Sequence, residues 1–462
     1  VTPDAPFRDA PPDAGPAVAW TPPDIQSWSM PNGVRVLFVE RHDLPIVSVR
    51  VVTSSGAGER DGTHPGATAF MGALLEQGAG KRDALALSDD YEALGADHAA
   101  GCEWDSCSVR AKVLTSRFDA ALDLVADVAL RPTFDTAEVE RQRQRWLGSL
   151  KQEKNSPPAM AQNALAAVVF GRAHPYGHSL RGEPGDIEKL ARKDIVDRWR
   201  SAFVPSATTI AVAGDVSRDD LRAKLQERFG SWSGVAAAAS PIARAPRPAK
   251  AAPRLWLVDV PGAAQSQVFV ADEGAPFDTK DRIALGVMNA ILGGMFSSRI
   301  NLDLRETHAF TYGAHSRFGM RRGAGPFVAG GAMFTDHTAE AAQLLLAHVE
   351  RIRNEPVTPA ELEDAKENAR LALPARFEAA DDVTGALQDI AVYRLPLDEY
   401  RTRAARIDAV TAEDVQRVAR QWLRPEGLRV VVAGDRSKID KGLDSLSLGN
   451  AALLDAYGDP VK

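Results

Sequence analysis

The chain has 462 residues, too many for one hydrophobic core, so roughly two to four domains are expected. Hydrophobic residues make up 45% and charged residues 25%, the balance of an ordinary globular protein. A formal net charge of −7 argues against nucleic acid as the main partner, because phosphate recognition carries a basic excess or stripe.

Residues 1–24 (VTPDAPFRDAPPDAGPAVAWTPPD) are rich in Pro, Ala and Asp and read as an extended tether. A bacterial periplasmic or envelope protein after signal removal would start this way, and so would a chain cut at a convenient residue. No apolar run approaches the roughly 20 residues that span a bilayer, so no transmembrane segment is expected. GVRVLFVE (33–40) and IVSVRVVT (46–53) are β-rich runs joined through a turn with Asp43 and Pro45. A helix follows from about Gly66 to Gln77. Cys102 and Cys107, in GCEWDSCSV, are the only two cysteines. A tight hairpin at Glu103–Ser106 would set them face to face and allow a bridge; an uninterrupted strand would point them to opposite faces as free thiols. Both readings stay open. Helices are expected over 118–130, Thr136 to about Glu153, 159–170, 193–202 and 218–229, with a strand at Thr208–Ala213. Residues 235–253 (VAAAASPIARAPRPAKAAP) lack apolar periodicity and read as a linker.

The second half repeats the plan of the first. KDIVDRWRSAFVPSATTIAVAGD (193–215) aligns without a gap on EDVQRVARQWLRPEGLRVVVAGD (413–435), matching Asp194 with Asp414, Pro205 with Pro425, Gly214 with Gly434 and Asp215 with Asp435. Both stretches are a helix, a Pro turn, a β-branched strand and a Gly-Asp exit, as an internal duplication would leave them.

The helix in GATAFMGALLEQG sets Ala69, Gly72 and Ala73 side by side on one face. A glycine in a helix interior costs about 1 kcal/mol against alanine and asks for a reason. One reason is close packing on another backbone. The other is that a site of larger polar groups once stood there.

Several histidines are weaker candidates. His174 and His178 are four residues apart, but Pro175 and Gly177 make that stretch a loop. His308 and His315 flank Tyr312 and could approach a substrate, though packed or solvated histidines are commoner. His64 has no partner at ligand spacing, and the charges of EVERQRQRW mark a solvated helix face.

From about Gly33 to Asp435 the chain resembles the M16 peptidases, the zinc enzymes related to pitrilysin, insulin-degrading enzyme and the mitochondrial processing peptidase. The resemblance rests on HPYGHSLRGEPGDIEKL (174–190), the two Gly-Asp strand ends, and LGGMFSSRINLDLRETHAFTYGAHS (292–316). It implies an α+β chain of two homologous domains in tandem, each a mostly antiparallel sheet covered by helices, the LuxS/MPP-like metallohydrolase fold. The expected domains are 25–234 and 254–445, with 446–462 as a tail.

Active members of the family carry an inverted zinc motif, His-x-x-Glu-His, on the first long helix and a further Glu ligand about 76 residues on. Matching the motif puts Ala69 and Ala73 at the two His positions, Gly72 at the general-base Glu and Ser149 at the third ligand. None supplies a metal donor, and a catalytic zinc takes three protein ligands. The resemblance thus implies a chain that binds no metal itself, with zinc expected in a partner subunit.

What the resemblance preserves is LRETHAFTY, with Arg305 and Tyr312 seven apart. In the family such a pair faces the active site from the second half, the Arg on substrate carbonyls and the Tyr on the oxyanion. Without that context Arg305 simply ends a helix and Tyr312 packs in the next strand. Gly293 and Gly294 give tight backbone at the entry to this motif.

The function so implied is the non-catalytic subunit of a heterodimeric zinc peptidase. Its partner is a zinc-containing M16 subunit of similar size, or a second copy of this chain when that subunit is absent. The substrate is a peptide or unfolded segment held by strand addition. The alternative is a peptidase-derived scaffold or peptide-binding protein with no proteolytic role.

Overall fold

A computed structural model describes residues 20–62, 64–236, 241–246 and 253–461. Most of the expected tether (1–19) and two stretches of the expected linker (237–240 and 247–252) therefore lie outside the described residues.

Two six-stranded sheets organise the chain. The first contains β1 (Gln26–Ser29), β2 (Arg35–Glu40), β3 (Ile46–Thr53), β4 (Asp97–Cys102), β5 (Cys107–Leu114) and β6 (Thr208–Gly214), in the order β1-β2-β6-β3-β5-β4. The second contains β7 (Leu255–Asp259), β8 (Gln265–Glu273), β9 (His315–Phe318), β10 (Pro326–Phe334), β11 (Arg429–Gly434) and β12 (Ala452–Leu454), in the order β12-β7-β11-β8-β10-β9.

Laid side by side, the two orders correspond strand for strand. β2 runs parallel to β6 as β7 does to β11, and the pairs β3–β6, β3–β5 and β4–β5 are antiparallel like β8–β11, β8–β10 and β9–β10. Only the outer strand differs. β1 joins by an antiparallel hairpin, whereas β12 comes from the C-terminal segment and lies parallel to β7. The segment expected as a tail thus closes one edge of the second sheet, and Leu454 is buried there.

β6 (TTIAVAG) and β11 (RVVVAG) are buried along their whole length, because both faces of each sheet are covered. One covering layer comes from the opposite half. Helix Pro157–Phe170 sets Met160, Leu165 and Phe170 against Phe269, Val328 and Val431 of the second sheet. Helix Ala380–Tyr393 sets Val383, Leu387 and Ile390 against Leu37, Val39 and Ala213 of the first. The halves exchange helices, so much of the apolar surface that each sheet buries is supplied by the other half.

Polar groups register the exchange. Arg50 donates to Asp381 Oδ1 and Gln388 Oε1, both at 3.1 Å, and Ser48 Oγ donates to the same carboxylate at 3.2 Å. The segments around the expected boundaries are also engaged. Trp20 packs on Phe377 with ring centroids 5.5 Å apart, and Ala245 of the linker donates its N–H to Glu273 at 2.7 Å.

Among the described residues only Arg282–Thr307 is long and apolar enough to cross a membrane, and half of it is buried within the fold.

Candidate functional site

The helix with the degenerate motif is Ala67–Leu74, a turn shorter than the sequence suggests. Its N-terminus is held by a buried carboxylate. Asp61 accepts from the backbone N–H of Gly66 and Thr68, each at 3.0 Å, and from the Thr68 hydroxyl at 2.5 Å. Burial pushes the Asp61 pKa up, against the pull of these bonds and of Arg198. Behind the helix stand Trp146, edge-on to Phe70 at 5.7 Å, and β4.

Gly72 meets β4 directly. A Cβ built on it would lie 2.6 Å from the backbone N of Cys102 and 3.0 Å from its Sγ. Cys102 and Cys107 form a disulfide and pair across β4 and β5, so the hairpin alternative is the one realised. The space where a general-base carboxylate would begin is thus filled by strand backbone and sulfur. Close packing explains Gly72 without any appeal to a lost site. Ala69 is buried, while Ala73 and Ser149 are half-buried.

Two groups beside this helix escaped the sequence reading. Glu76 accepts from His98 on β4 at 2.8 Å, and His98 stacks on Tyr91 with centroids 3.8 Å apart. One carboxylate and one imidazole fall short of the three ligands that zinc needs. Among the described residues no cluster of three or more His, Cys, Asp or Glu side chains could hold a metal. The side chains at 69, 72, 73 and 149 do not fit a zinc ion.

None of the weaker histidines belongs to a group that could hold a metal among the described residues. His174 is buried, and its two ring nitrogens face the Ala243 carbonyl at 2.8 Å and the Tyr176 N–H at 3.0 Å. His308 lies against Asp303 at 3.1 Å, and burial lowers the pKa of His315.

The second-half motif is built differently. Helix Arg282–Asn289 widens into a π-turn at Ala290–Gly294, and a second π-turn spans Leu302–Thr307, which contains Arg305. π-turns are rare and gather at functional positions. Gly293 stands against β9 much as Gly72 stands against β4, the corresponding strand: its Cβ would come 2.4 Å from the Ser316 backbone N. A Cβ on Gly294 would meet the Asn289 amide at 2.8 Å, and that amide donates to the Ser316 carbonyl at 3.0 Å.

Around Arg305 the frame is pinned. Asn301 bonds the Phe296 carbonyl at 2.7 Å and the Ala314 N–H at 3.2 Å. His348 bonds Asp303 at 2.7 Å, and Arg299 grips Glu361 through two bonds of 2.6 and 2.9 Å. Between Arg305 and Tyr312 the chain reverses through Ala309 at φ 54°, a left-handed conformation that costs a non-glycine residue about 1 kcal/mol or more.

Within this frame both residues of interest reach solvent, Arg305 beside the Glu306 carboxylate at 3.4 Å. The Arg305 guanidinium lies 4.6 Å from the centroid of the Phe296 ring, and its side chain is 37% exposed. Tyr312 is 80% exposed and touches the ring of Phe334 edge-on at 5.6 Å. Phe296, at 66%, is exposed as well.

The Arg299–Glu361 pair gives this frame an acid limit. Arg299 pushes the Glu361 pKa down to about 2 from an ordinary 4.5, helped by the Thr358 N–H. A depressed carboxyl stabilises the fold fully above its unfolded pKa, and the contribution is lost as pH falls through the folded one. Denaturant titrations should show wild type losing stability between pH 4.5 and 2, and Glu361→Gln losing visibly less over that window.

Comparison with known proteins bears on both halves. Residues 35–183 match the insulinase (peptidase M16) family model, and residues 189–369 match the model described as the peptidase M16 inactive domain. An uncharacterized zinc protease of Mycobacterium tuberculosis is 27% identical over 417 residues, covering 89% of this chain and 92% of the relative. The probable mitochondrial-processing peptidase subunit beta of Arabidopsis thaliana is 23% identical, covering 89% and 78%. A crystal structure described as a peptidase M16 inactive domain from Pseudomonas fluorescens superposes with a TM-score of 0.81 at 26% identity, covering 89% of this chain and 98% of that one. With both family models matched and the tandem fold shared, the chain belongs to the peptidase M16 family.

Proposed function

We propose that this chain is the non-catalytic subunit of a two-chain zinc peptidase, lending Arg305 and Tyr312 to a metal site on its partner. The observation that carries this reading is the contrast between the two motifs. The first-half helix has its Gly72 face closed by β4, with no donor side chain at 69, 72 or 73. The second half holds Arg305 and Tyr312 exposed on a frame anchored at Asn301, Asp303 and Arg299. An 80% exposed tyrosine beside an exposed phenylalanine contributes little to the fold, so its value lies in what it meets.

Arg305 would donate to substrate carbonyls, and the Tyr312 hydroxyl would donate to the oxyanion forming at the scissile carbonyl. Gly293 and Gly294, expected at the substrate, instead pack the motif on its own Ser316 and Asn289 and so would act on the peptide only through the frame they hold. Zinc would come with an M16 partner of similar size, and a second copy of this chain would occupy that face when the partner is absent. The Cys102–Cys107 bridge supports an oxidising compartment, the bacterial periplasm or envelope.

The test mixes this chain with a zinc-bearing M16 chain, first of all one encoded in the adjacent reading frame, and follows a quenched peptide. Activity should appear that neither chain shows alone. Arg305→Ala and Tyr312→Phe should each lower kcat/KM by about 10²-fold, the scale of losing one oxyanion donor, with the zinc content unchanged. Undiminished turnover in both variants would leave a peptidase-derived scaffold as the better account.

A further inference from the structure

A cavity of about 300 Å³ lies at the junction of the two halves, and neither Arg305 nor Tyr312 lines it. The tip of the β4–β5 hairpin, the turn that carries Arg321 and the C-terminal part of helix Ala380–Tyr393 enclose it. Its size is at the lower end for small-molecule sites, and domain junctions are where such sites tend to form.

The charges lining it are unevenly committed. Asp105 accepts from the Arg322 backbone N–H at 2.9 Å and the Tyr393 hydroxyl at 3.0 Å, both on Oδ2. Asp389 takes a bond from Arg376 at 2.5 Å and one from Tyr400 at 3.4 Å. Asp105 Oδ1 is buried with no hydrogen-bond partner among the described residues. The side chains of Arg321 and Glu103 likewise make no hydrogen bond among the described residues, although burial raises the Glu103 pKa against the pull of the nearby Arg321 charge. The Arg321 guanidinium lies 4.2 Å from the Trp104 ring and 4.5 Å from the Tyr176 ring, and no acceptor among the described residues takes its N–H groups. Burial pushes its pKa down to about 10, which leaves it charged at neutral pH. Glu103 lines the same cavity from an exposed position, and no donor among the described residues reaches its carboxylate.

A guanidinium offers five donors, and one set in a half-closed space without an acceptor calls for an explanation. A simple anion would satisfy Arg321 but would enter among three carboxylates. A simple cation would meet Glu103 but would face the guanidinium. A ligand carrying both charges satisfies both groups. Trp104 and Val392 supply apolar surface to the same cavity.

We propose that this cavity binds a small zwitterion of the α-amino-acid class, its carboxylate on Arg321, its ammonium on Glu103 and its apolar side chain against Trp104 and Val392. The site lies between the halves, so an occupant would bridge them.

Calorimetric titration of the full chain with L-leucine, 4-methylpentanoic acid and 3-methylbutylamine tests this. The last two probes lack the ammonium and the carboxylate respectively. Leucine should bind saturably at millimolar concentration or below and raise Tm, and each single-charge probe should bind at least about tenfold more weakly, a loss of about 1.4 kcal/mol. Arg321→Met should abolish leucine binding. Glu103→Gln, at an exposed position, should weaken leucine but leave the carboxylic acid bound at least as well as in wild type, since it removes a repelling charge. Should Arg321→Met fail to fold, the probe series on wild type and the Glu103→Gln result decide. No saturable leucine binding, equal binding of all three probes, or wild-type affinity in folded Arg321→Met would overturn the proposal.

Discussion

Replacing Gly72 by alanine is expected to destabilise this protein by about 1–3 kcal/mol, the usual cost of overpacking a filled interior. Helix propensity alone predicts the opposite, a gain of about 1 kcal/mol from removing a glycine inside a helix. The packing effect should win because the new methyl group would lie 2.6 Å from the Cys102 backbone N. Strand backbone joined to its neighbour by a disulfide cannot yield as a flexible side chain would. Urea unfolding of Gly72→Ala measures the sign directly, and a gain in stability would mean that β4 does not press on the helix as described. The same contact bears on attempts to rebuild the metal site. Ala69→His, Gly72→Glu, Ala73→His and Ser149→Glu together should give no tightly bound zinc on metal analysis, since the glutamate has no room to start from.

Arg322→Ala is expected to cost about 3–5 kcal/mol, the scale for removing one partner of a buried ion pair. The Arg322 side chain crosses between the halves. It pairs with Glu59, whose side chain is 4% exposed, and donates to the Ser54 carbonyl at 3.0 Å and the Asp105 carbonyl at 3.1 Å. Truncation leaves the Glu59 carboxylate buried without its cation. Because these partners belong to the first half and Arg322 to the second, the loss should fall on the junction. Calorimetry should show unfolding at lower temperature and a transition that broadens or splits as the halves uncouple. Unchanged melting would show that the exchanged helices hold the halves together without this residue. Arg322→Lys keeps the charge but loses the planar fork, so it should recover only part of the loss.

Much of the architecture was readable beforehand because it is written in local pattern. The repeat of 193–215 in 413–435 predicted two alike domains, and helix Arg192–Ala202 with β6 recurs as helix Ala412–Trp422 with β11. The expected helix from Thr136 to Glu153 is present over that span. The short strands β1 and β12 went unread, since three or four residues at a sheet edge carry too little alternation to stand out. Helix Ala67–Leu74 ended earlier than its apolar pattern suggests, because that pattern continues into the turn after it.

The residues of the junction were hidden for another reason. Arg321 and Arg322, in MRRGAG, look like any solvated turn, and Asp105 looks like any hairpin tip. Only the folded chain brings Asp105 to Tyr393 at 3.0 Å across 288 positions. The pairing of Cys102 with Cys107, left open by spacing, was decided by the register that sets them opposite each other.

By itself the amino-acid order determined the duplicated plan, the kinship carried by its motifs and the absence of donor side chains at 69, 72, 73 and 149, because composition and short-range periodicity are properties of neighbouring residues. Tertiary structure alone decided that each half lends a helix to the other, that β4 fills the space before Gly72, and that Arg321 and Glu103 line one cavity. Those outcomes depend on contacts between distant segments, and no local pattern encodes which buried faces will meet.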